Sequence, residues 1–257
     1  MGGTQQVDRK VASVGIAFGA ARSRQLAAMQ QTHFWFRGRR RLVETLLRDE
    51  LREPRQVLDV GCGAGGIARW LLDHGHEAHG VDSSWASLEH AGQLVPTASL
   101  HHGEAAALPF PEGSFDGVLL LDVLEHADDA AALAEARRVV RPGGWVLLSV
   151  PAFPWLWSFR DVDAGHLRRY SRRGLEDVVC RSGFAVERVT YYQCFLFPAL
   201  AVARLAMRGR RWRDAEERVP RPVNAFLTTV NNVEARAARW IDLPWGSSLF
   251  VRARAPG

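Results

Sequence analysis

The sequence has few of the features that stabilise small secreted proteins or anchor a chain in a membrane. Its 257 residues include only three cysteines, Cys62, Cys180 and Cys194. This odd number, without the spacing of a metal site, argues against a disulfide framework. The uninterrupted apolar run Cys194–Ala203 is shorter than the roughly 20 residues that cross a bilayer. Disulfide-rich scaffolds and single-span membrane anchors of this kind are therefore not predicted.

The composition is that of an ordinary globular domain. The chain is 47% hydrophobic and 24% charged, with a formal net charge of +5, and a chain of this length can bury one large core. Without a disulfide framework, the cytoplasm is the expected location. The oligomeric state is not specified by these features.

The first 40 residues are predicted to form an N-terminal tail or lid segment, and residues 41–257 the main domain. Arg9 and Lys10 followed by the apolar residues 11–21 resemble the start of a signal peptide. However, the run is rich in Ala, Gly and Ser and lacks a convincing cleavage site. The arginines within 37–41 could contact nucleic acid, but we favour a solvated helix start, with the aromatic residues before them covering a ligand site.

The most informative stretch is Val57–Gly66, which predicts a buried strand, a glycine-rich turn and a following helix. Gly61, Gly63 and Gly66 match G-x-G-x-x-G, which alone is only weakly indicative of a dinucleotide site. Asp59 lies two residues before the first glycine. A carboxylate there suits a ligand that carries an ammonium group better than it suits a pyrophosphate.

With this D-x-G-x-G form, the sequence resembles the class I S-adenosylmethionine-dependent methyltransferases. Four further stretches follow in the order and spacing of that family. They are His79–Asp82, Gly103–Ala105 before Leu108-Pro-Phe, Phe115–His126, and Arg141–Gly144 before Trp145–Val150.

The resemblance implies a set of cofactor-binding residues for S-adenosylmethionine. Asp59 with Gly61, Cys62 and Gly63 would hold the methionine end, and Asp82 with Ser83 would hold the ribose, at a strand tip. Glu104 and Ala105 would face the adenine, and Leu121 would contact the cofactor through its backbone.

The resemblance is greatest to the ubiquinone-biosynthesis O-methyltransferases, which implies two further assignments. An arginine about 20 residues before the first glycine contacts the cofactor carboxylate there, and Arg41 occupies that position. The family's acid-x-x-Glu-His pattern is matched by Asp122, Glu125 and His126, to which a divalent metal such as Mg²⁺ has been assigned. The alternative is that Glu125 caps a helix and His126 lines the substrate cavity without a metal.

Residues 151–173 follow the fifth predicted strand and combine aromatic side chains with titratable groups. Loops beyond the carboxyl ends of parallel strands form ligand crevices. His166 is therefore the first candidate catalytic base, and His126 is a second candidate catalytic residue. The alternative is that Asp161, His166 and Arg168 only tie the loop together.

A helical insert is predicted over about 194–246, between the last two strands. Its apolar start and the basic run Arg208–Arg213 could lie at a membrane interface through residues 194–213. The alternative is a helix that covers the active site or a dimer contact. A second, amphipathic helix is predicted over about Val223 to Ile241.

These observations predict an α/β, Rossmann-like, doubly wound fold. Its seven-stranded sheet would be mainly parallel with an antiparallel last strand. The predicted function is methyl transfer from S-adenosylmethionine to a small-molecule or lipid-linked acceptor, preferably to oxygen.

Two alternatives remain open: an NAD-dependent oxidoreductase, and a non-catalytic membrane- or nucleic-acid-binding protein on a methyltransferase scaffold. A nucleic-acid methyltransferase is disfavoured, because the sequence has no Asn/Asp-Pro-Pro-Tyr/Phe motif for a flipped base.

Overall fold

A computed structural model describes residues 27–30, 32–206 and 219–257 of the chain. The signal-like start at residues 9–21 and the basic run Arg208–Arg213 lie outside the described residues. The predictions made for them therefore stay predictions.

A seven-stranded sheet forms the centre of the fold, with the strand order β3-β2-β1-β4-β5-β7-β6. Strands β1 to β5 pair in parallel, whereas β7 is antiparallel to both β5 and β6. This arrangement confirms the predicted mainly parallel sheet with an antiparallel last strand. The strands are β1 Gln56–Val60, β2 Glu77–Asp82, β3 Ser99–His102, β4 Phe115–Leu121, β5 Val140–Pro151, β6 Ala185–Tyr192 and β7 Ser248–Arg254.

Helices connect and cover the strands. α2 packs against β1 and β2, α3 against β2 and β3, α4 against β5, and α6 against β6 and β7. Two short 3₁₀ turns, Leu124–His126 and Pro154–Leu156, follow the ends of β4 and β5. The described α-helices are α1 Phe34–Leu46, α2 Gly66–Asp73, α3 Trp85–Leu94, α4 Asp129–Val139, α5 Phe159–Asp163, α6 Arg172–Arg181, α7 Phe197–Ala206 and α8 Arg221–Ala237.

The local sequence explains several of these boundaries. The central strands are runs of apolar residues, and Leu119, Leu120 and Leu147 are fully buried, as expected for parallel strands covered on both faces. Asp128 is the N-cap residue of α4, and its side chain accepts a hydrogen bond from Ala131 N (3.1 Å). Ser171 is the N-cap residue of α6, and its Oγ accepts a hydrogen bond from Gly174 N (3.1 Å). Such N-caps satisfy backbone donors that the first turn leaves free.

The insert joins the N-terminal helix to the last strands. β6 and β7 pair across a long insert that contains α7 and α8, and α8 packs against α1. A buried hydrogen-bond chain fixes this contact: Asn231 Nδ2 donates to Tyr192 Oη (2.8 Å), which donates to Trp35 O (2.8 Å). None of the helices in the described segments combines the length and apolar character needed to cross a membrane. Peripheral membrane contact through 194–213 stays a prediction.

Gly38 permits the close approach of α1 to α8. A Cβ atom at this position would lie 2.6 Å from Asn231 Cβ, so Gly38→Ala should overpack the contact and lower the free energy of unfolding by about 1–3 kcal/mol. Gly92 is the matched control, because a Cβ atom in α3 would meet only Leu100 Cδ1 at 4.0 Å. Gly92→Ala should raise the stability by about 0.5–1 kcal/mol. Urea unfolding of both variants gives the comparison, and equal effects of the two changes would contradict the close-packing argument.

Candidate active site

The glycine turn between β1 and α2 is fastened to the end of β2. The N–H groups of Gly61 and Cys62 both donate to Val81 O, at 2.7 and 3.0 Å. Gly61 and Gly63 have φ angles of +70° and +55°, a region that L-residues with side chains rarely adopt. Gln30, from the segment before α1, lies over the turn: its Oε1 is 2.8 Å from the place where a Gly66 Cβ would be.

Asp82 completes this attachment at the tip of β2. Its Oδ2 accepts from Gly63 N (2.8 Å) and its Oδ1 from Ser84 N (2.8 Å). Burial raises the pKa of Asp82, and the two backbone hydrogen bonds oppose that rise. The neighbouring Ser83 carbonyl oxygen accepts from His102 Nε2 (3.0 Å), and the His102 ring stacks on the exposed Trp85.

A cavity of about 220 Å³ opens beside the turn, and Asp59 lies in its wall. The Asp59 side chain is buried, and its carboxylate has no hydrogen-bond partner among the described residues. Burial raises its pKa to about 7; the positive charge of Arg39 opposes the rise and the negative charge of Asp82 adds to it. The remaining lining residues include Gln30, Phe36, Arg39, Gly61, Cys62, Gly66, Ile67 and Leu121.

Arg39, Arg40 and Arg69 line this cavity, whereas Arg41 does not. Arg39 forms an ion pair with Asp122 Oδ2, and its guanidinium lies 4.8 Å from the Trp35 ring centroid and 5.4 Å from that of Phe36. Arg41 pairs with Glu44 at 2.6 Å on the exposed side of α1. Residues two apart on a helix point to nearly opposite sides. The assignment of the cofactor carboxylate to Arg41 therefore stays a prediction, and of these two arginines Arg39 is the one that lines the cavity.

The other predicted cofactor residues lie along the same edge of the sheet. Leu121, at the end of β4, lines the cavity, and Cys62 is buried in the turn against Gly80 of β2. Burial raises the pKa of the Cys62 thiol, so the residue acts in packing. Glu104 is exposed and forms an isolated bridge with Ala107, and Ala105 is partly buried beside the core.

The structure rearranges the predicted metal-ligand set. Asp122 is turned away, because its Oδ2 pairs with Arg39 and its Oδ1 accepts from Ser149 Oγ (3.0 Å). Among the described residues, the candidate ligand atoms that come within 4.8 Å of one another belong to Glu125, His126 and His166. Asp122, Glu125 and His126 therefore do not fit a common metal ion in this geometry.

Glu125 and His126 are held in low-dielectric surroundings. Burial and the nearby charge of Asp122 raise the pKa of Glu125 well above its ordinary value, and its Oε2 has no hydrogen-bond partner among the described residues. Burial, together with the neighbouring His166, lowers the pKa of His126 to about 4. His126 is thus neutral at pH 7, and its Nδ1 lies 3.2 Å from Gly165 O.

His166 belongs to an ordered chain of polar side chains. Its Nδ1 lies 3.0 Å from Asp161 Oδ1, and the same oxygen accepts from Arg169 Nε at 2.7 Å. Although burial raises the pKa of Asp161, the hydrogen bond from His166 and the charge of Arg169 bring it below the ordinary value. An ionised Asp161 then fixes the proton of His166 on Nδ1 and leaves Nε2, which faces Glu125 Oε1 at 4.0 Å, as the acceptor.

Aromatic side chains line the loop that carries Asp161 and His166. Phe153 stacks on Tyr191 with ring centroids 5.4 Å apart, and Phe197 of α7 lies 5.2 Å from Phe153 and 6.3 Å from Trp155. The insert helix α7 therefore covers the loop beyond β5, and the predicted ligand crevice after this strand stays a prediction.

The comparisons with known proteins bear on the same part of the fold. Residues 58–148 match the family model described as a methyltransferase domain. These residues include β1, the glycine turn, Asp82 and the end of β4. Residues 58–148 therefore form a methyltransferase domain, and the chain is similar to the class I S-adenosylmethionine-dependent methyltransferases.

Two relatives and one solved structure illustrate the similarity. A Mycolicibacterium smegmatis protein described as a probable S-adenosylmethionine-dependent methyltransferase is 32% identical over 167 residues, 64% of each chain. A ubiquinone biosynthesis O-methyltransferase from Alkalilimnicola ehrlichii is 33% identical over 132 residues, which are 49% of this chain and 53% of that protein. The methyltransferase from the Haloferax volcanii complex with the Trm112 activator has the same fold, with a TM-score of 0.64 and 20% identity over 93% of this chain and 96% of that one.

The methyltransferase domain is the part that these relatives share. The matched segments span less than two thirds of the length of either relative. The insert helix α7 and the loop residue His166 lie beyond the matched residues 58–148. The similarity therefore covers the glycine turn and Asp82 more directly than the acceptor side.

The buried Asp59 should make the stability of the methyltransferase domain depend on pH. The native state binds the Asp59 proton more tightly than the unfolded state, because the pKa rises from an ordinary 3.8 to about 7. The wild type should therefore lose stability as pH rises through this window. Asp59→Asn should become more stable than wild type by on the order of 2–4 kcal/mol at pH 8, and by much less at pH 4.

Denaturant unfolding at several pH values measures this difference. The exposed Asp177 of α6 provides the control, since Asp177→Asn should not reproduce the pH-dependent gain. A stability difference between Asp59→Asn and wild type that is the same at pH 4 and pH 8 would show that Asp59 ionises at its ordinary pKa.

Proposed function

We propose that this protein transfers a methyl group from S-adenosylmethionine to an oxygen atom of a small-molecule or lipid-linked acceptor. The observation that carries the proposal is the buried Asp59 carboxylate in the cavity wall, which has no hydrogen-bond partner among the described residues. A buried carboxylate of this kind needs a cationic partner. The methionine end of the cofactor supplies an ammonium group.

The glycine turn supports this cofactor over a dinucleotide. A pyrophosphate site needs backbone N–H groups that point at the ligand. Here Gly61, Cys62 and Gly65 donate to carbonyl oxygens, and Gly63 donates to Asp82. These four N–H groups are satisfied within the protein, which disfavours the alternative of an NAD-dependent oxidoreductase.

Each part of the cofactor is assigned to a different set of residues in and beside the cavity. Asp59 and the glycine turn take the ammonium end, and Arg39 lies where it can attract the cofactor carboxylate. Asp82 takes the ribose, because each of its oxygens still has a lone pair free after accepting one backbone N–H. Glu104 and Ala105 stay assigned to the adenine edge and the Leu121 backbone to cofactor contact, as predicted from the sequence.

His166 is the proposed general base on the acceptor side. The acceptor oxygen forms a bond to the methyl carbon while the carbon–sulfur bond breaks, and S-adenosylhomocysteine leaves with the electron pair on sulfur. The hydroxyl proton passes to His166 Nε2, which Asp161 keeps available by binding the Nδ1 side. The choice of oxygen rests on this histidine and on the similarity to a ubiquinone biosynthesis O-methyltransferase.

A divalent metal stays a prediction for this protein. The geometry brings Glu125, His126 and His166 close enough for a metal, which would compete with the base role of His166, and disfavours Asp122, whose two oxygens are engaged. Calorimetry with Mg²⁺ or Zn²⁺ after chelator treatment tests it directly, because a bound ion gives heat in wild type that Glu125→Gln removes.

The first test of the proposed function is cofactor binding. Calorimetric titration should show micromolar binding of S-adenosylmethionine and S-adenosylhomocysteine and none of NAD. Asp82→Ala should weaken this binding about tenfold or more, since it removes the ribose acceptor and the attachment of Gly63. Asp177→Ala, a surface change on α6, should bind the cofactor as wild type does.

Either of two results would reject the cofactor assignment. One is a wild-type protein that binds NAD and neither methionine derivative. The other is unchanged affinity in Asp82→Ala, which would mean that the ribose does not lie at the tip of β2.

The second test concerns the proposed base. With an acceptor found by screening phenolic and lipid-linked hydroxyl compounds, His166→Gln should lower kcat by about 100-fold or more. Asp161→Asn should have a smaller effect, about tenfold, because it removes only the partner that fixes the tautomer. Both variants should keep the wild-type affinity for S-adenosylmethionine. His101→Gln, at an exposed histidine of β3, is the control, and a His166→Gln enzyme with near-normal kcat would remove His166 from the reaction.

A further inference from the structure

Three arginines lie near the Asp161–His166 pair, and one of them, Arg204, has no ion-pair partner among the described residues. Arg160 belongs to α5, Arg169 to the following loop and Arg204 to the insert helix α7. Arg204 is partly exposed as a residue, yet its Nε and Nη1 atoms are buried without a hydrogen-bond partner among the described residues. Burial and the positive charges of Arg169 and Arg160 lower the pKa of Arg204 to about 9.

The nearby carboxylate Asp161 cannot balance this charge. Its Oδ1 already accepts from His166 Nδ1 and Arg169 Nε, and its Oδ2 accepts from Ser158 N (2.9 Å) and Ser158 Oγ (3.1 Å). Both oxygens are therefore occupied by other donors. Burying an arginine without a partner is costly, so among residues 27–30, 32–206 and 219–257 this site is short of one negative charge.

The position of Arg204 places that missing charge on the acceptor side. α7 is packed onto the loop beyond β5 through Phe197, whose ring contacts Phe153 and Trp155. Arg169 Nη1 donates a hydrogen bond to Ala152 O (2.8 Å). Within this cluster, Arg169 is joined to the proposed base His166 through Asp161 Oδ1.

We propose that Arg204, assisted by the positive charge of Arg169 and Arg160, binds an oxyanion group of the methyl acceptor, either a carboxylate or a phosphate. A guanidinium group matches both anions because it donates two parallel hydrogen bonds. Binding the anion at this point fixes the acceptor relative to His166. The inference rests on the proposed function, since it names a chemical property of the acceptor at the same site.

The site is tested first without any acceptor, by titrating inorganic phosphate and sodium benzoate separately into the full-length protein. Wild type should bind one of them, which distinguishes a phosphate from a carboxylate source. Arg204→Gln should lose about tenfold or more in affinity for that anion, because a charge-assisted bidentate contact is removed. Arg236→Gln is the control, at an exposed arginine of α8 in the same insert, and should bind the anion as wild type does.

A second variant guards against a structural role of Arg204. Arg204→Met removes a buried charge that has no partner, so without anion its Tm should equal or exceed that of wild type. A clearly lower Tm would show that Arg204 has a structural partner, and would overturn the proposal. Absence of phosphate and benzoate binding by wild type, or equal binding by Arg204→Gln, would overturn it too.

Parallel titration with S-adenosylmethionine distinguishes a failure of the anion-site proposal from a failure of the proposed function. Cofactor binding without anion binding would reject the anion site and leave the proposed function standing. Anion binding that depends on Arg204, without cofactor binding, would reject the methyltransferase proposal while the anion site remained.

Discussion

The attachment of the glycine turn to the end of β2 is the constraint on which the cofactor side of this fold depends. Val81 O accepts from two successive N–H groups of the turn, and Asp82 accepts from a third. Because these bonds join the ends of neighbouring parallel strands, they fix the turn at the carboxyl edge of the sheet, where open α/β sheets bind ligands. They also hold Asp59, one residue from the end of β1, at a fixed place in the cavity wall.

This arrangement places two acidic side chains in poorly solvated positions, and the rest of the fold has to tolerate them. Burial raises the pKa of both Asp59 and Asp82, and the negative charge of Asp82 raises the pKa of Asp59 further. Arg39 opposes the effect from α1. Because α1 is itself fixed by Tyr192 and Asn231, the N-terminal helix and the insert both contribute to the electrostatics of the cavity.

The sequence was sufficient for the elements whose information is local. The resemblance of five successive motifs to the class I methyltransferases predicts the sheet, and the D-x-G-x-G form predicts the turn and the place of Asp59. The spacing from the first glycine, which points to Arg41, takes no account of the helical face. Arg39 shares a face with Leu42, Val43 and Leu46, the buried side of α1, and this periodicity could have identified it. The redirection of Asp122 and the pairing of Asp161 with Arg169 depend on contacts that no local pattern encodes.

The division between the two halves of the site has a chemical consequence. The cofactor half is built from β1, β2 and their turn, whereas the acceptor half is assembled from the β5 loop and α7, which are distant in sequence. Glu125, 4.0 Å from Nε2 of the proposed base, is buried and has a raised pKa, so its protonated form adds no negative charge beside His166. As the methyl group moves, the sulfonium loses its positive charge and the attacking oxygen loses its developing negative charge. A site that excludes water and holds the reacting groups with fixed polar side chains favours such a step. Selection for a new acceptor can therefore act on α7 and the β5 loop while the turn that would hold the cofactor remains unchanged.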